Sequence, residues 1–125
     1  MVAVSLLALP LATVDPATAA PEGGPRARAE AAALCAAWWL GVARVREEPA
    51  AAARGHRFRT LAGRLGAAPG GLRAFLTDLA PAMTDLVRDA ARPESRAARL
   101  AARHEALCGG PLTPDERRAA RALPR

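Results

Sequence analysis

Proline and glycine cut this chain at regular intervals, and nothing between the cuts alternates. The breaks fall at PEGGP (21–25), Pro49, GAAPGG (66–71), ARPES (91–95) and CGGP (108–111). Between them apolar residues return every three or four positions, the period of a helix face and not of a strand. β-Branched residues are scarce, and 34 of the 125 residues are alanine, the best helix former. The chain is therefore expected to be all-α.

The spacing predicts a first helix from about Arg26 to Glu48, with Leu34, Trp38, Val42 and Val45 as its inward stripe, stopped by Pro49. A second runs from about Ala50 to Leu65, with Phe58, Leu61 and Leu65 inward and Arg54, Arg57 and Arg64 on its other sides. A third starts near Leu72, presents Leu72, Phe75, Leu76, Leu79, Met83, Leu86 and Val87, and contains Pro81, which predicts a kink or a split into two helices. A fourth opens at ARPES, with Pro93 in its first turn, turns Ala97, Leu100, Ala101, His104, Leu107 and Cys108 inward, and ends at Gly109-Gly110. Thr113-Pro114-Asp115-Glu116 reads as a capping box that opens a short last helix, whose thin apolar side predicts weak docking or fraying. Short connections imply a four-helix up-and-down bundle over 26–110, followed by a C-terminal helical tail, 111–125.

Residues 2–14, VAVSLLALPLATV, are too short an apolar run to cross a bilayer, and ATA (17–19) has the small-residue form of a cleavage site. Residues 1–19 thus read as a signal peptide, 20–25 as a flexible lead, and the mature chain as secreted or in the cell envelope, without a transmembrane span. No basic residue precedes Arg26, so the positive n-region is missing. Lys, Asn, Gln, Ile and Tyr are absent and all 18 basic residues are Arg, as a GC-rich, actinobacterial genome would produce. The net charge of +6 therefore has a compositional source as well as a functional reading. The arginines are interleaved with acids outside RGHRFR (54–59), and few aromatics could stack on bases, so nucleic acid is not the expected partner.

Two cysteines and two histidines carry the distinctive chemistry. Cys35 lies in the middle of the first helix, on its inward side; Cys108 closes the fourth. In an antiparallel bundle the first and last helices are neighbours. One inward pair in an exported chain reads first as a disulfide, Cys35–Cys108, which supports an alanine-rich core with few large side chains. Two other readings exist. His104 and Cys108, four apart, form half of a metal site that Cys35 and His56 could complete, although structural zinc sites bring ligands in two close pairs. A Cys–His nucleophile pair needs an orienting third group, and Glu105 points to another face. Packing beside the disulfide is the plainer role for His104. Asp78, Asp85 and Asp89 form a solvated row suited to Arg88, Arg92 and Arg96. Trp39, about 100° round the helix from Trp38, is either a surface contact point or part of a helix buried on most sides. No Ser-His-Asp set, phosphate loop or carboxylate pair assembles, so an enzyme is not expected.

With ALCAAW (33–38), APGGLRAFLTDLAPAM (68–83) and RHEALCGG (103–110), the chain resembles small secreted actinobacterial proteins with an all-helical body and one early and one late cysteine. One similar group is the mycobacterial haemophore-like proteins, exported helical haem binders with a comparable cysteine pair. Two functions result. One is an exported binding module without catalysis or cofactor, facing an unknown protein or an acidic envelope component. The other, implied by the resemblance, is a carrier of haem or another small ligand, with His56, His104 and Met83 as candidate axial ligands.

Overall fold

The computed structural model describes residues 24–123, all of whose regular elements are helices. The signal-peptide reading of 1–19 lies outside the described residues. The five helices are α1 (Gly24–Arg46), α2 (Pro49–Arg64), α3 (Pro69–Asp89), α4 (Arg96–Leu107) and α5 (Pro114–Arg121).

Their ends are set by local chemistry. Glu47 closes α1 in the left-handed region, φ 51°, after Arg44 and Arg46, which suit the negative end of the helix dipole. Glu48 then holds an extended backbone before Pro49, the first residue of α2. A two-residue link of this kind folds α2 straight back on α1. The α2 C-terminus is a Schellman turn: Gly66 has φ 111°, the Ala67 N–H donates to the Ala62 carbonyl, and the Gly66 N–H donates to Gly63. The same motif ends α4, with Gly109 at φ 108° and the Gly110 N–H donating to Glu105. At α5 the capping box is complete, since Thr113 Oγ1 accepts from the Glu116 N–H while the Glu116 carboxylate accepts from the Thr113 N–H.

Two boundaries differ from expectation. Helix α3 begins at Pro69, not Leu72, because Gly70 and Gly71 fall in a first turn that Pro69 pre-forms. It runs through the exposed Pro81 as one helix rather than splitting. Helix α4 begins after Ser95, whose Oγ accepts from the Ala98 N–H and donates to the Arg92 carbonyl. Pro93 is left in the preceding turn, with Glu94 at φ 64°. The serine cap outcompetes the proline start because it satisfies a free helix N–H, whereas the proline only fixes φ.

Contacts centre on α1. Helices α2 and α3 both lie along it and meet each other little; α4 packs mainly on α3 and α5 on α2. Two glycines permit the close approach. A Cβ on Gly55 would come 2.9 Å from the Leu40 side chain, and one on Gly41 would come 3.0 Å from Met83 Cβ. With neighbours on several sides, α1 buries Trp39 as well as the expected Trp38 and Val42. Leu61, Phe75 and Leu107, expected inward, are exposed, Leu107 at 74 %. The last helix is docked: its Ala120, with Leu112 just before it, is buried in the main core.

Candidate functional site

The cysteines meet. Cys35 and Cys108 form a disulfide with Cα atoms 5.3 Å apart, tying the middle of α1 to the end of α4 across 73 residues. With both sulfurs committed, His104 and Cys108 are not half of a metal site, and Cys108 is not a nucleophile. Among the described residues no cluster of three or more His, Cys, Asp or Glu side chains is placed to hold a metal ion.

Around the disulfide the polar groups are organised by tryptophan and arginine. The Trp39 indole N–H donates to the Cys108 carbonyl at 2.7 Å. Arg54 of α2, expected on an outer face, is only 7 % exposed, with its guanidinium 4.6 Å from the Trp39 ring centre. It donates to the Gly110 carbonyl at 2.5 Å, to the Pro111 carbonyl at 3.4 Å, and through Nε and a terminal nitrogen to both oxygens of Glu116. Gly109 leaves it room, since a Cβ there would lie 3.0 Å from the guanidinium. Arg57 adds a bond to Glu116 at 3.0 Å. The Arg54 fork, with help from Thr113, holds the Glu116 carboxyl down at about 2 against a usual 4.5. A buried arginine satisfied by a carboxylate, two carbonyls and an aromatic face is cross-linking chemistry, and it anchors the chain after Cys108 to α2.

The candidate ligand residues lie in three different settings. His104 stacks on Trp38 with ring centres 5.3 Å apart, and burial, reinforced by Arg103, keeps its pKa below 6.5. Met83 is buried against Gly41. His56 is exposed on α2, beside Arg57, Thr60 and Arg64. Trp39, at 1 % exposure, offers nothing to a partner, which corrects the surface reading. It is Trp38 whose indole N–H is buried without a partner among the described residues. The aspartates at 78, 85 and 89 are exposed as expected, but no ion pair joins them to Arg88, Arg92 or Arg96 among the described residues.

Two grooves have distinct linings. The larger, about 680 Å³, is apolar and lies between the start of α1 and the α2–α3 turn, floored by Ala29, Ala33, Leu65, Leu72 and Phe75. The smaller, about 310 Å³, has Leu40, Leu76 and Ala80 at its base and Arg44, Arg59 and Arg73 around it. Sequence reasoning missed Arg54 and Glu116 as a pair, as well as this trio. Within RGHRFR nothing separates a buried arginine from an exposed one; only the glutamate of the capping box marked a carboxylate held in place.

Comparison of the chain with protein-family models, curated proteins and solved structures found no match.

Proposed function

We propose that this chain is an exported interaction module without catalytic activity: a disulfide-stapled helical bundle, organised on α1, that presents an arginine-rich side to an acidic component of the cell envelope. The observation that carries the reading is the charge along Pro49–Thr77. This stretch holds Arg54, Arg57, Arg59, Arg64 and Arg73 and no carboxylate. Glu116 pairs with the first two and offsets one of their two charges, while Arg59, Arg64 and Arg73 make no ion pair among the described residues. A one-signed surface of this kind attracts polyanions over the screening distance of the solution. The disulfide suits an oxidising compartment, and among the described residues no helix is long and apolar enough to cross a membrane. Haem draws less support, because Met83 and His104 are engaged in packing and leave His56 as the exposed candidate ligand.

Co-sedimentation with insoluble polyanions, one a polyglutamate and one a polymeric phosphate ester, tests the reading. Retention at low salt that is lost as salt rises is expected of at least one of them. No retention by either would remove the acidic partner. N-terminal sequencing of protein secreted by a GC-rich host should find a start near Ala20, and an intact Met1 on cytoplasmic protein would remove export.

A further inference from the structure

We infer that the groove between Arg44, Arg59 and Arg73 is a binding site for the phosphate ester of a polyol-phosphate polymer. The inference rests on the acidic-partner reading and narrows it to one place and one chemistry. The three arginines come from three helices. Arg44 is on the last turns of α1, Arg59 on α2 and Arg73 near the start of α3. They converge because α2 and α3 flank α1, and because Gly55 and Gly41 let the helices close on Leu40 and Met83 just below Arg44.

No carboxylate lines the groove, and none of the three makes an ion pair among the described residues. Three like charges around one depression repel each other, and an anion seated between them relieves that repulsion. Arg44 is already held in place, donating to Thr84 Oγ1 at 2.9 Å, and makes no other side-chain hydrogen bond among the described residues. Guanidinium groups present planar pairs of donors that match phosphate oxygens two at a time, which a lysine cannot do.

The base of the groove decides what carries the phosphate. Leu40, Leu76 and Ala80 are aliphatic, and Thr77 adds one hydroxyl. No aromatic ring lines the groove and both tryptophans are buried, so there is no platform for a nucleobase. None of the exposed hydrophobic side chains Leu61, Phe75, Leu107 and Leu123 lines this groove, so its own walls offer no large apolar side chain for insertion into a bilayer. What fits is a phosphodiester on a short aliphatic, hydroxyl-bearing backbone.

The test uses synthetic poly(glycerol phosphate) as probe, with calorimetric titration of the folded, oxidised protein at low salt. R44Q/R59Q/R73Q is compared with R88Q/R92Q/R96Q, which removes the same charge from exposed positions elsewhere, and thermal melts confirm that both remain folded. Wild type should bind. The groove variant should bind at least about tenfold more weakly, given the worth of charge-assisted hydrogen bonds, and the control variant within about threefold of wild type by loss of general attraction alone. Equal loss in both variants would overturn the site while leaving the arginine-rich side as the docking surface. Binding to polyglutamate but not to the phosphate polymer would overturn the phosphate chemistry alone. Tighter binding to phosphatidylglycerol vesicles or to a single-stranded oligonucleotide would overturn the polymer in favour of that ligand.

Discussion

The two halves of α1 are packed in opposite ways. Its C-terminal half carries Trp38, Trp39 and Val42 into a cluster with Met83, Val87, Cys108 and Leu112. Its N-terminal half packs Ala32 and Ala33 on Ala62 and Leu72, while Ala29 lines the open 680 Å³ groove. Both halves form helix with equal ease, because alanine costs the backbone little. They differ in what they bury, since a methyl removes far less apolar surface from water than an indole. Stability is therefore concentrated where the disulfide, the Trp39 hydrogen bond and the Arg54–Glu116 pair coincide, and the opposite end is where local opening should begin.

The largest effect should come from Trp39→Ala, about 5 kcal/mol, at the upper end for such truncations because a hydrogen bond and a cation contact go with the ring. Chemical denaturation measures it. A milder pair sharpens the point: Trp39→Phe strands the Cys108 carbonyl and should cost about 1–2 kcal/mol more than Trp38→Phe, which removes an N–H that has no partner. Next is the disulfide. Cys35→Ser with Cys108→Ser should cost roughly 4 kcal/mol from chain entropy and lower the melting point by about 20 °C. Arg54→Ala should follow at about 3 kcal/mol, the usual loss when one partner of a buried pair is removed, with amide exchange rising first in α5.

The same cross-link predicts a pH dependence. Glu116 is depressed from 4.5 to about 2, so its contribution is fully present above pH 4.5 and fades as pH falls through about 2. The depressed His104 adds a smaller loss that begins as pH drops below 6.5. Glu116→Gln should flatten the lower window of a stability–pH profile and leave the upper one. The smallest effect tests the loose half. Ala29→Leu, at the floor of the open groove, should stabilise by about 1 kcal/mol, whereas Ala36→Leu, wholly buried, should destabilise by about 1–3 kcal/mol. If both destabilise alike, the two halves are equally well packed.

Helix existence was legible because the breaks are chemical: Pro49, Gly66, Gly109 and the Thr113–Glu116 box each act within a few residues of themselves. The disulfide was legible for a related reason, as two cysteines allow one intramolecular pairing. Burial was harder. A single inward stripe describes a helix with neighbours on one side, and α1 has them on several, so the stripe could not choose between the two readings of Trp39; on α4 helical spacing alone placed inward a Leu107 that the structure leaves exposed. Arg54 could not be found from RGHRFR, since its burial depends on Glu116, 62 residues away in sequence. The Arg44, Arg59 and Arg73 trio depends likewise on three helices meeting.

As a covalent graph the folded chain is a ring with two arms. Residues 35–108 close on themselves through sulfur; the start of α1 is one arm and α5 the other. A single protease cut anywhere in the ring leaves every fragment attached, so the nicked domain keeps its mass, but for one water, until it is reduced. A cut between Cys108 and α5 frees the arm at once from the backbone. The salt bridges of Glu116 and Arg117, to Arg54, Arg57 and Glu48, and the buried Ala120 then help to hold it in place, with Leu112 and the Arg54 bonds to the Gly110 and Pro111 carbonyls when the cut falls before them. The two ends of this small protein thus answer to different agents, the ring to thiols and the arm to acid.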